Sequence, residues 1–526
     1  MSPPFHPIPR FFTGILLAFC TIPLPAQFLD GSGSDRITDL VITGNQIAIC
    51  GYQTENAQLN GTALPGFGND DATLTLTGLD GEILHHLVLG GALDDQSEGV
   101  TADAAGNIYW TGTYRGTATL GDLTLSDPMN QKAVFVAKIS PTAEILWVQT
   151  ITGQGFKILE ELAWHPNGDV VAVGSFSETI TFDDGTERTA TAERDALLVR
   201  FDDTTGDILV TTQFGSTGTF STRSVTATPD GTFHLAGDFN GTASVLGQSI
   251  QTNTDDEDIF YAQFTPLEGI TLLERIGGAL PALLSEIVAD EEGNVYLGGA
   301  FFGTLSTDDG FTTGSASFNN DGWLMRRNAD GTTGWLRSFG TAAPETIRAL
   351  AFDDGRLFAG GIFSENFTEN SINFTPSGGS TTGYVARFDP ATGELEEREI
   401  FGSAELTFVF ALDAKDGAPP VVGGQFTETL NFEGQPIGPA QGFAAFWGQF
   451  GNTLVPTIES STTDFRVFPN PVAEVLSFSE VTEFELWNAT GTLMAIGTAA
   501  QIETSELTPG LYLLRTKFGT QWIVRR

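Results

Sequence analysis

The sequence predicts an all-β fold, a seven-bladed β-propeller with a small β-sandwich domain behind it, and three observations predict it. First, one phrase recurs: Gly293–Phe301 reads GNVYLGGAF, with close versions at Gly106–Tyr114 (GNIYWTGTY), Gly168–Phe176 (GDVVAVGSF), Gly231–Phe239 (GTFHLAGDF) and Gly355–Phe363 (GRLFAGGIF). Looser copies lie at Gly44–Tyr52 and Gly417–Phe426, and the strand-closing glycines Gly51, Gly112, Gly174, Gly237, Gly299, Gly361 and Gly424 fall 61 to 63 residues apart. Second, valine, isoleucine, threonine and phenylalanine runs are punctuated by 62 glycines, and no long window carries the i, i+3, i+4 apolar spacing of a helix. Third, the vocabulary changes abruptly near residue 464. A fixed period overrides the length prior for 526 residues and calls for one repeat domain plus flanking parts.

Residues 1–26 read as a secretory signal peptide: Arg10, then the apolar run Phe11–Leu24, then Leu24-Pro25-Ala26 before Gln27. The run is broken by Thr13, Gly14, Thr21 and Pro23, too short for a comfortable membrane span, and no later stretch could form a transmembrane helix. Lipidation at Cys20 is the weaker reading, because bulky Phe19 precedes it where such signals take a small residue. That leaves Cys50 as the only mature thiol, so no disulfide framework is available. Cys50 ends an apolar strand and reads as a buried small hydrophobe rather than a nucleophile.

Residues 27–453 are read as seven blades of four strands each. In every repeat an inner strand, such as Glu286–Asp290, turns through Asp/Glu/Gly/Asn into the recurring strand. About twenty residues follow with a short Gly-Thr motif, then a third strand starting near an aspartate (Asp71, Asp195, Asp258, Asp321) and a fourth ending in Phe-Gly or Gly-Gly. A lone four-stranded sheet leaves both faces bare, and radial stacking covers them. The seventh repeat lacks a fourth strand, while Gln27–Gly31 occupies a fourth-strand position ahead of the first inner strand. The N-terminal strand is therefore predicted to close the last blade and remove the open edge.

Acidic turns such as Asp103–Asn107 and Asp290–Asn294 are too short for a twelve-residue calcium loop and read as hairpins in which Asp caps amides. The run Asp255-Asp256-Glu257-Asp258 is dense enough to keep calcium open; no other cofactor is expected. A net charge of −42 disfavours nucleic acid and anionic lipid and reads as a solvated exterior, with cation binding as the alternative.

Residues 454–463, including PTIESSTT, read as a linker. Beyond it come Phe465-Arg466-Val467-Phe468-Pro469-Asn470-Pro471, then a strand closing in a turn at Gly491, then Leu507-Thr508-Pro509-Gly510-Leu511-Tyr512, and the basic end Arg525-Arg526. In its residues this segment reads as a small antiparallel β-sandwich. Residues 464–526 resemble the type A C-terminal sorting domain of the type IX (Por) secretion system of Bacteroidota, on the motif residues Pro469, Asn470, Pro471, Gly491, Leu507, Gly510, Tyr512, Arg525 and Arg526. Trp487-Asn488 stands where the family usually has a tyrosine and an aspartate. The resemblance implies a partner, the type IX machinery, and export of folded cargo from the periplasm to the surface or the medium.

Three function classes follow, the blandest a structural spacer or self-associating coat component with no small ligand. One is a secreted or surface binding and adhesion module for a glycan, peptide or matrix polymer, with the long, variable connections between second and third strands marking the recognition face. The alternative is a carboxylate-dependent glycoside hydrolase or lyase, but with 66 acidic residues no pair stands out by spacing. His85, His86, His165 and His234 are scattered, and no zinc helix, nucleophile elbow or phosphate loop occurs, so no catalytic or metal residue is assigned. Aromatics at one position per blade (Tyr114, Phe176, Phe239, Phe301, Phe363) read as packing rather than a sugar platform.

Overall fold

The computed structural model describes residues 26–450, apart from 246–247, 255, 317–318 and 341–342, and in the C-terminal part residues 467–468, 472, 474–488, 493–505, 507–508, 510–516 and 519–525. Residues 1–25, where a signal peptide is expected, and 451–466, which take in the expected linker, lie outside the described residues. The chain divides into two compact units, residues 1–454 and 455–526.

The first unit is a seven-bladed propeller whose regular elements, among the described residues, are all strands. Its inner strands are Arg36–Thr43, Gln96–Ala102, Lys157–His165, Phe220–Ala227, Ala282–Ala289, Thr346–Asp353 and Thr407–Asp413. Each contacts the inner strands of both neighbouring blades, and the seventh contacts the first, so the ring is closed. Second and third strands, such as Asp169–Phe176 and Asp195–Asp202, are buried almost end to end because a neighbouring sheet covers each face. Outer strands such as Ile208–Phe214 are half exposed. The apolar clusters join consecutive blades, as where Val171 and Leu198 of the third meet Phe233 and Phe260 of the fourth.

Closure occurs as predicted. Gln27–Asp30 pairs antiparallel with Ala444–Gln449 of the last blade, placing Phe28 opposite Phe446 and Leu29 opposite Ala445. Gln441 N–H also donates to Asp30 Oδ1 at 3.0 Å. The long connections after the second strands turn out to be ordered hairpins. Four of them add to the outer strand of the preceding blade, as Thr117–Leu120 does to Ile83–Gly91. They lie on the circumference and seal the groove between blades.

The acidic turns spend their carboxylates on backbone. Asp290 Oδ1 accepts the Asn294 N–H at 2.8 Å and Oδ2 accepts the Asn294 amide at 2.7 Å, while Gly293 takes φ +84°. The aspartates opening the third strands do the same for the connection before them. Asp195 accepts from Thr191 N–H at 2.8 Å and Asp71 from Phe67 N–H at 2.7 Å.

The second unit is a small antiparallel β-sandwich. Its long strand Val475–Asn488 pairs on one side with Val467–Phe468 and then Gly510–Thr516, and on the other with Leu493–Glu503; Gly519–Arg525 extends the sheet from Gly510–Thr516. Leu476, Phe484, Leu486, Tyr512, Leu514 and Ile523 share its core.

Candidate functional site: a ring of seven bulges at the channel mouth

Every inner strand breaks register against its second strand at the same height, leaving a bulge of one residue, or two in the second blade. The residues thrown out of the ladder are Thr38, Glu98, Glu160, Arg223, Ser285, Arg348 and Phe410, one from each blade, with Gly99 beside Glu98. All seven line a single 490 Å³ cavity at one mouth of the central channel.

The bulges also explain the repeated glycines. Two residues before each bulge, the inner-strand carbonyl points into the space where a side chain on the second strand would begin. A Cβ on Gly51 would sit 2.0 Å from the Arg36 oxygen, on Gly174 2.0 Å from that of Ile158, and on Gly424 2.0 Å from that of Phe408. The remaining four marker glycines face the same carbonyl at 2.0 to 2.3 Å. Close backbone approach, rather than ligand binding, therefore imposes glycine at this position.

This mouth lies where inner strands begin and second strands end, the face nominated from sequence. Its lining differs from the expected one: the variable connections fold outward as hairpins, and the cavity wall is made by inner strands. The recurring aromatics Tyr114, Phe176, Phe239, Phe301 and Phe363 are at most 1% exposed and serve packing.

Carboxylates descend the channel below the bulges. Asp39, Glu161 and Glu286 line both the mouth and a second cavity of 270 Å³, which Asp413 also reaches. They bridge blades whose inner strands share no ladder. Asp39 accepts the Val100 N–H at 2.7 Å, Glu286 that of Leu350 at 2.7 Å and Asp413 that of Ile42 at 2.6 Å, each from the next blade. Burial dominates their acidity: it pushes Asp39 and Glu98 up to about 7 and Asp413 up to about 6, and raises Glu161 and Glu286 well above the carboxylate range.

On one side of the mouth Arg223 is neutralised, Nη1 donating to Glu160 at 2.9 Å and Nε to Asp238 at 2.8 Å. On the other side Arg36 and Arg348 flank Phe410, their guanidinium carbons 3.8 and 5.6 Å from the ring centroid. Sequence reasoning missed this ring, because a period-two reading runs straight through a bulge.

Elsewhere the titratable candidates serve the fold. His86 bonds Thr75 and Gln53, His234 bonds Thr228 and Tyr261, and burial pulls both imidazoles down to about 4. Burial pushes the Cys50 thiol well up, away from nucleophilic use. Asp258 is ion-paired with Arg275 at 2.7 Å, and Asp255 lies outside the described residues. Among the described residues no group of three or more His, Cys, Asp or Glu is placed to hold a metal. Among the described residues no helix is long and apolar enough to cross a membrane.

In the C-terminal unit, Leu507 packs on the core and Gly510 opens a strand. Tyr512 donates to the Thr508 carbonyl at 2.8 Å, and Arg525 Nε to that of Thr504 at 2.7 Å. Pro469, Asn470, Pro471, Gly491 and Arg526 lie outside the described residues.

No curated protein matches the sequence. Among solved structures the chain is similar to the quinohemoprotein alcohol dehydrogenase from Comamonas testosteroni, at 9% identity over 85% of this chain and 78% of that one, TM-score 0.35. It is similar to a europium-containing methanol dehydrogenase at 8% identity over 80% and 92%, TM-score 0.36. The Pyrococcus horikoshii acylaminoacyl peptidase aligns at 9% identity over 84% and 57%, TM-score 0.37. Likeness at this level carries no functional information. Residues 466–526, by contrast, match the family described as secretion system C-terminal sorting domain. That stretch is thus a secretion sorting domain that engages the export machinery, and the seven-bladed propeller before it belongs to a chain bound for the cell surface or the medium.

Proposed function

We propose that the chain is a secreted or surface-attached binding module whose propeller recognises an extracellular glycan, peptide or matrix polymer at the bulge-lined mouth, after signal-peptide-dependent passage through the periplasm and export by the type IX system. One observation carries this reading. Where packing dictates the residue, the seven blades agree, as at the marker glycines. At the bulge, the same backbone position carries Thr, Glu, Glu, Arg, Ser, Arg and Phe, seven side chains gathered around one cavity. A repeated position that carries five different residue types across seven blades has been released from the scaffold and is free to suit a ligand.

A second reading has its own support: Glu98 and Asp39, held near 7 in the channel, are suited to general acid or base work in a glycoside hydrolase or lyase. The full chain screened against immobilised glycans, peptides and matrix polymers, with a turnover panel in parallel, separates the two. Saturable binding without turnover supports the module; turnover abolished by Glu98→Gln supports the enzyme.

A further inference from the structure

We propose that the mouth is a binding site for an acidic sugar, whose anionic group, a uronate carboxylate or a sulfate ester, sits between Arg36 and Arg348 beside Phe410. The inference rests on the binding-module reading and names its ligand class.

Three blades meet here: Arg348 comes from the sixth, Phe410 from the seventh and Arg36 from the first. Of the arginines and lysines of the propeller that stand outside ion-pair distance of a carboxylate among the described residues, Arg36 and Arg348 are the ones that line this cavity. Among the described residues neither guanidinium has a carboxylate within ion-pair distance, although Arg223 across the same cavity takes two. Arg36 has the Tyr52 hydroxyl beside it, a neutral partner, and Glu98 of the adjoining blade feels Arg36 less than it feels Lys132. Stacking on Phe410 orients the two planes but neutralises neither. The like charges work against each other: burial, and then Arg36, push Arg348 down. A bound anion relieves that repulsion and gains charge-assisted bonds from two planar forks.

The rest of the lining selects the molecule that carries the anion. Thr38 and Ser285 place hydroxyls on the lining and Glu98 and Glu160 carboxylate acceptors, the complement of a polyhydroxylated ring, while Ser97 and Gln96 behind them are held by Thr73, Trp110, Asp70 and Lys132. Apolar surface is limited to Leu283, Leu284 and Phe410, which leaves an acidic peptide few places to bury side chains. The net charge of −42 sets a further condition: a dense polyanion is repelled, whereas a sparsely charged sugar interacts mainly within the Debye length of about 8 Å at physiological salt.

Calorimetric titration of the full chain tests this with four probes: trigalacturonate, a neutral galactan trisaccharide, a sulfated galactan trisaccharide and a glutamate-rich peptide. Saturable binding of an acidic sugar, with none of the neutral one, is expected, and the two acidic arms assign the anion as carboxylate or sulfate. Arg36→Gln and Arg348→Gln, checked by melting, should each weaken it about tenfold or more. Arg337→Gln, on an exposed position of an outer strand, should leave it unchanged. The acidic-against-neutral comparison needs no variant and stands if either fails to fold. Equal affinity for the neutral sugar, or unchanged affinity in both channel variants, overturns the acidic-sugar site. Preference for the peptide or the neutral sugar overturns it while leaving a binding module in place. Silence from all four probes, repeated across the wider polymer screen, removes both.

Discussion

At the scale of single residues, the repeat separates positions the fold dictates from positions it leaves open. Gly174 belongs to the first kind: a methyl there would meet the Ile158 carbonyl oxygen at 2.0 Å and the Leu159 Cα at 2.8 Å. Neither atom is the end of a flexible side chain, so the strand must move and the bulge with it. Gly174→Ala is expected to cost about 3 kcal/mol or more, the upper range of overpacking. Gly185 is the control. It sits at φ +82° with nothing within 4 Å, so Gly185→Ala bears only the left-handed backbone penalty of about 1 kcal/mol. Urea denaturation midpoints of the two variants compare them; equal losses would mean that close approach is not what the marker glycines serve. Arg348, thirteen residues before its own marker Gly361, belongs to the second kind, since Phe410 and Glu98 hold the equivalent place in other blades.

At the scale of strands and hairpins, closure of the ring is the testable feature. Gln27–Asp30 supplies the outer strand of the last blade and buries Leu29 against Ile37, Leu40 and Trp447. Deleting residues 27–31 should lower the melting temperature sharply, and Leu29→Ala alone should cost about 2–5 kcal/mol. A calorimetric melt unchanged by the deletion would show that the ring does not depend on this seam. The seam was legible in sequence because strand order is arithmetic: a missing fourth strand at one end and a spare at the other. The number of blades was legible because the Gly174-type clash forces one residue type at a fixed period. The bulges were not, because Glu160 and Glu161 look like any charged pair until their register against Val173 and Gly174 is known. The hairpins were hidden too. Thr117–Leu120 draws its stability from the outer strand of another blade, a contact distant in sequence.

At the scale of the whole molecule, the propeller buries carboxylic acids, in the channel and just before two of its inner strands, and that fixes how stability depends on pH. Burial holds Asp39, Asp95 and Glu98 up at about 7 and Asp35 and Asp413 at about 6, with Glu161 and Glu286 higher still. In the unfolded chain the same groups ionise near 4. Between these limits the folded state binds more protons than the unfolded one, so the stability these groups contribute is complete below about pH 4 and is lost as pH rises through 6 to 7. His86 and His234 act in the opposite sense, since their folded values near 4 lie below the unfolded 6.5, but two imidazoles are outnumbered by seven carboxylates. Repulsion within a chain of charge −42 adds to the carboxylate side as pH rises. Each tenfold tilt of a proton equilibrium is worth about 1.4 kcal/mol. The melting temperature should therefore fall by about 5–10 °C between pH 5 and pH 8. Asp39→Asn removes one contributor at the junction of the first two blades and should flatten the upper part of that curve. A melting temperature that rises over this interval would show that the channel acids are ionised in the folded protein, with the Val100 and Leu350 amides holding them charged.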